Sequence, residues 1–69
     1  MITRQRYRAI LEELPDATRV IFLLHRADGL DYRPIAALRG IAVVDVECHM
    51  AEAIALIAER LDQYQGREP

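Results

Sequence analysis

The chain has 69 residues, enough for one small domain spanning 1–69 and a thin core, and too few for an enclosed catalytic cleft. Apolar residues make up 52% of it, mostly Ala, Leu, Ile and Val with little Gly, which argues against disorder and favours helices. The net charge of −2 favours no partner class, and the lone cysteine, Cys48, excludes an intrachain disulfide.

Thr3 is placed to cap a first helix. Tyr7, Ile10, Leu11 and Leu14 then recur at i, i+3, i+4 and i+7, one apolar stripe. Arg4, Arg6 and Arg8 surround that stripe, as a solvated face or as a phosphate-contacting patch; Glu12 and Glu13 follow closely. Pro15 suits the first turn of a second helix, where its missing N–H is not needed. Asp16 sets negative charge at the positive end of that helix. Val20 to Leu24 is a continuous apolar run, which predicts the central helix of a small bundle. His25 and Arg26 fall in its last turn, and Asp28-Gly29 ends it.

Asp31 is placed to cap a third helix, with Pro34 inside its first turn. Tyr32, Ile35, Ala36 and Leu38 give it an inward face, and small Ala36 allows another helix to cross closely. Gly40 supplies a residue tolerant of positive φ at a tight turn, with Ile41 plugging the turn from beneath. A fourth helix starts near Val43 and runs to about Tyr64, with Gly66 and Pro69 marking a frayed end. Val43, Val46, Met50, Ala53, Ile54, Ile57 and Leu61 share one side of it and read as its core stripe. The opposite side carries Val44, Asp45, Cys48, Glu52, Ala55, Leu56 and Glu59. Short connections and the absence of repeats predict a single all-α, four-helix domain.

Several of these residues form a pattern. Leu14-Pro15, Arg19, Phe22-Leu23-Leu24, Gly29-Leu30, Tyr32, Ile35-Ala36, Gly40-Ile41, Val46, His49 and Ala53 together resemble region 4 of the sigma-70 family, most closely its extracytoplasmic-function type. The resemblance covers about residues 10 to 61. The Ile-Ala…Gly-Ile…Val…His spacing also resembles the LuxR-type regulator module; the Leu-Pro…Phe-Leu-Leu-His…Gly-Leu prefix favours the sigma reading. The resemblance implies a C-terminal helix-turn-helix without a wing, whose last helix enters the major groove of the promoter −35 element. It also implies that a flanking surface contacts the RNA polymerase core. The domain that melts the promoter has no counterpart in this sequence.

Three departures from the family pattern stand out. Leu38 and Arg39 are exchanged, so Arg39 is expected to point toward the core and to snorkel or pair with an acid. Ala42 stands where a capping Ser or Thr is usual, at a cost of about 1 kcal/mol. Cys48 and Glu52 occupy places that the family fills with Arg or Lys.

No Arg or Lys lies between Arg39 and Arg60, yet DNA affinity comes largely from phosphate neutralisation. Arg26, Arg33 and Arg39 are the candidate phosphate contacts, with Arg4, Arg6, Arg8 and Arg19 in support. Val44, Asp45, Glu47, Cys48, His49 and Glu52 are the candidate groove-facing residues around the Gly40 turn. An acid accepts from cytosine N4, so Asp45 or Glu47 offers a contact to one base. His49 touches a phosphate or packs.

Two functions follow: a double-stranded-DNA-binding transcription module of weak intrinsic affinity, or a protein-interaction domain on the same fold, with a homodimer as one form. Both fit a soluble cytoplasmic protein, since no apolar run reaches the roughly 18 residues of a membrane span and no signal peptide is visible. Catalysis is not expected. Glu12 and Glu13 diverge on a helix, as do Cys48 and His49, and no metal spacing or phosphate-binding glycine loop implies a cofactor.

Overall fold

The computed structural model describes residues 3–66, with side chains to residue 63. The end at Pro69 lies outside the described residues. The elements in order are α1 (Arg4–Glu12), α2 (Asp16–Arg26), α3 (Tyr32–Arg39) and α4 (Val43–Gly66).

Thr3 caps α1 as expected, its Oγ1 accepting the Arg6 N–H at 3.2 Å. The chain then tightens: Glu13 N–H donates to the Ile10 carbonyl and Leu14 N–H to that of Leu11. Leu14 is thereby driven into the core. Pro15 sits at the N-cap of α2, one position before the first turn, and its carbonyl accepts the first helical bond from Arg19 N–H at 2.8 Å.

Burial on α2 falls on Thr18, Ile21 and Phe22, whereas Val20 and Leu23 are exposed. The run Val20 to Leu24 is therefore one-sided, and α2 is not the hub. That role belongs to α4, which packs against α1, α2 and α3 alike. Length decides it: α4 has 24 residues against 11 in α2, so its stripe can serve three neighbours.

The α2–α3 loop is closed by Gly29, at φ +72°, and by His25. Nδ1 of His25 lies 2.8 Å from the Leu30 carbonyl, which can only accept, so Nδ1 carries the proton. The His25 ring meets Tyr32 edge-on at 5.2 Å. Asp31 occupies the N-cap of α3, but its side chain makes no capping bond.

Ile35 and Ala36 are the buried face of α3, while Leu38 is 66% exposed. Leu38 lies about 110° round the helix from the centre of Tyr32, Ile35 and Ala36, so it does not belong to the inward face. Arg39 is exposed as well and does not enter the core. It is the last residue of α3 and is open to solvent, while Ile41 packs against the core.

The core stripe of α4 is Val46, Met50, Ala53 and Ile57, with Leu61 at its edge. Val43 and Ile54, expected in that stripe, are exposed, and Leu56, expected outside, packs against the core. The buried arc is rotated toward Leu56 and His49 because α1, α2 and α3 all lie on that side.

Candidate nucleic-acid interface

The turn between α3 and α4 is a Schellman motif. Gly40 adopts φ +69°, ψ +34°, and its N–H donates to the carbonyls of Ala36 and Ala37. The Ile41 N–H donates to the Ala36 carbonyl at 3.0 Å. The carbonyls of Ala36 and Ala37 are thus satisfied, and the chain reverses into α4 within three residues, Gly40 to Ala42.

Ala42 supplies no capping oxygen, but Asp45 replaces part of it. Its Oδ2 accepts the Ala42 N–H at 3.2 Å, the return half of a capping box. Asp45 is therefore engaged in holding the start of α4 and keeps only its remaining acceptor capacity for anything outside.

Two further candidates are engaged by α2. Thr18 is 1% exposed, and its hydroxyl donates to Glu52 Oε1 at 2.8 Å. The same oxygen lies 2.8 Å from Nδ1 of His49. A threonine has one proton to give, so Nδ1 of His49 must donate to Oγ1. His49 is half-buried in this node and packs rather than standing free; Glu52 is exposed apart from that bond. Thr18 went unnoticed in the sequence, although it continues the buried spacing Leu14, Thr18, Ile21, Phe22 and so occupies a core position. Replacing it with valine keeps the shape and removes both bonds. We expect a loss of about 1–2 kcal/mol in urea unfolding. Equal stability of the valine variant would show that the node contributes nothing.

The side chains left unengaged at the front of α4 are Val44, Glu47 and Cys48, all exposed, beside Val43. The free cations nearest in sequence are Arg33 and Arg39 of α3; both are exposed and neither has an ion-pair partner among the described residues. Arg26 is elsewhere. Its guanidinium lies 5.6 Å from the Phe22 ring centroid, in a groove with Ile54, Ala58 and Leu61. Ala58 is about 21 Å along α4 from Val44 at the helical rise, so Arg26 does not join the front of α4. Arg19 is held by Asp16 at 3.0 Å, and Arg60 by Glu13 at 2.8 Å. Among the described residues, no group of three His, Cys, Asp or Glu side chains is arranged to hold a metal ion.

Two helices joined by a Schellman turn, the second exposed along its front and braced from behind by α2, define a helix-turn-helix domain. A family model described as sigma-70, region 4, matches residues 4–57, across all four helices. The chain belongs to the sigma-70 region 4 family, a transcription-related DNA-binding domain class. No curated protein and no solved structure matches it. Among the described residues, no helix is long and apolar enough to cross a membrane.

Proposed function

We propose that this domain is a DNA-binding transcription module that sets the front of α4 into the major groove of promoter DNA, at the −35 element, and meets the RNA polymerase core with a flanking surface. The observation that carries the reading is the Gly40 turn. It leaves Val44, Glu47 and Cys48 exposed on α4 while Arg33 and Arg39 stand unpaired on α3. In this arrangement the arginines hold phosphates and α4 meets the base edges. Intrinsic affinity is weak, because Asp45, Glu47 and Glu52 repel the backbone that the arginines attract. Polymerase, already on the promoter, supplies the missing affinity. The site of action is the cytoplasm, where promoter and polymerase are.

The test is a salt titration with duplex DNA. With Arg33 and Arg39 as the phosphate contacts, log K falls against log salt with a slope of about −2, and Arg39→Ala brings it to about −1. Flat, negligible binding at about 50 mM salt rejects the reading.

A second reading is favoured by the exposed apolar side chains beside those acids, Leu38 at 66% and Val44 at 59%. On it the same face binds a protein and not DNA. Specific capture of the polymerase core or another transcription protein by a domain that fails the DNA titration would select it.

A further inference from the structure

Besides its core stripe, α4 carries a second track: Val44, Glu47, Ala51, Ile54, Ala58 and Leu61. The spacing alternates three and four, the a/d seam of a coiled coil. The core stripe is already covered by α1, α2 and α3, but this seam is not. Val44 is 59% exposed and Ile54 49%, and Glu47, Ala51 and Ala58 are exposed too, with only Leu61 half-buried. At its Leu61 end the seam borders a groove of about 300 Å³ lined by Tyr7, Phe22, Arg26, Ile54 and Ala58.

The charges at the two ends of the seam are opposite. Glu47 is the one ionisable residue within it, and Arg26 flanks it beside Ala58 and Leu61. Neither has an ion-pair partner among the described residues. A two-fold axis crossing the helix at Ile54 sets Ile54 against its own copy and Glu47 against Leu61, with Ala51 and Ala58 within one residue of the same level. Glu47 of each copy then reaches the level of Arg26 on the other, twice per pair. The small residues Ala51 and Ala58 face one another, which lets the backbones approach at the close end of the usual 8–10 Å. A parallel arrangement would oppose Glu47 to Glu47 and leave Arg26 unmatched.

We propose that the occupant of this seam is a second copy of the chain, paired antiparallel through α4 with Glu47 and Arg26 exchanged across the two-fold axis. The interface is isologous and therefore closed. Val44 and Glu47 also belong to the front of α4, so a paired domain withholds them from DNA.

The experiment is sedimentation of the full chain without DNA, so its outcome is independent of the titration above. We expect a reversible dimer of twice 7.9 kDa. Ile54→Asp should give a monomer of unchanged helicity, because Ile54 lies outside the core stripe. Glu47→Arg and Arg26→Glu should each raise the dissociation constant about tenfold, as loss and reversal of two ion pairs at the solvent-exposed ends of the seam. Combining the two reversals should restore it to within about threefold, since each removed pair is re-formed with signs exchanged. A monomer at about 1 mM, where even weak specific pairing is populated, overturns the proposal. So does a dimer indifferent to Ile54→Asp, a double reversal no better than the single ones, or tightening by Glu47→Gln, which would mark the parallel arrangement.

Discussion

Phe22→Ala is expected to leave the domain largely unfolded at moderate urea. Phe22 is 2% exposed at the α2–α4 contact, and its ring also carries the Arg26 guanidinium. Truncating a buried phenylalanine costs about 3–5 kcal/mol, transfer and cavity together. A domain of this length holds about 3–10 kcal/mol in total, so the loss consumes much or all of it. Leu23→Ala, one residue along the same helix, removes an exposed side chain and should cost about 1 kcal/mol or less. The urea midpoints of the two variants measure the contrast. Equal midpoints would mean that α2 does not present Phe22 to α4.

Gly40→Val is the second large effect. Gly40 lies at φ +69°, and a β-carbon built there would meet nothing within 4 Å. The β-carbon itself is free of clashes, so the cost expected is that of the backbone, about 1–3 kcal/mol for a β-branched residue held in the left-handed region. In a domain of this size that lowers the melting temperature by about 5–20 °C. Gly40→Asn should lose far less, since asparagine tolerates that region. A valine variant that melts with the wild type would contradict the turn.

Much of this was legible in the residues. Several helix starts and stops have a local chemical cause: Thr3 at α1, Pro15 and Asp16 at α2, Gly29 ending the α2 turn, Gly40 and Ile41 between α3 and α4. Such signals act over three or four residues and need no tertiary partner. The family was legible too, because its pattern is spread over turns and core positions along most of the chain, and the family model matches residues 4–57.

The site was less so. Asp45 reads as a base contact until its bond to the Ala42 N–H is seen, and Ala42 reads as a missing cap until the same bond is seen. His49 and Glu52 read as groove-facing until Thr18, thirty-one and thirty-four positions earlier, is found between them. Arg26 reads as part of the turn's basic surround, but α2 carries it to the far groove.

The sequence by itself determined four helices, where each begins to within a residue, and a left-handed glycine between the last two, because capping and turn chemistry are set by neighbours along the chain. Tertiary structure alone decided that α4 and not α2 is the hub, that Leu38 and Arg39 both face solvent, and that α4 keeps a second apolar track uncovered. Periodicity fixes which residues share a side of a helix, but the direction of that side depends on the helices packed against it.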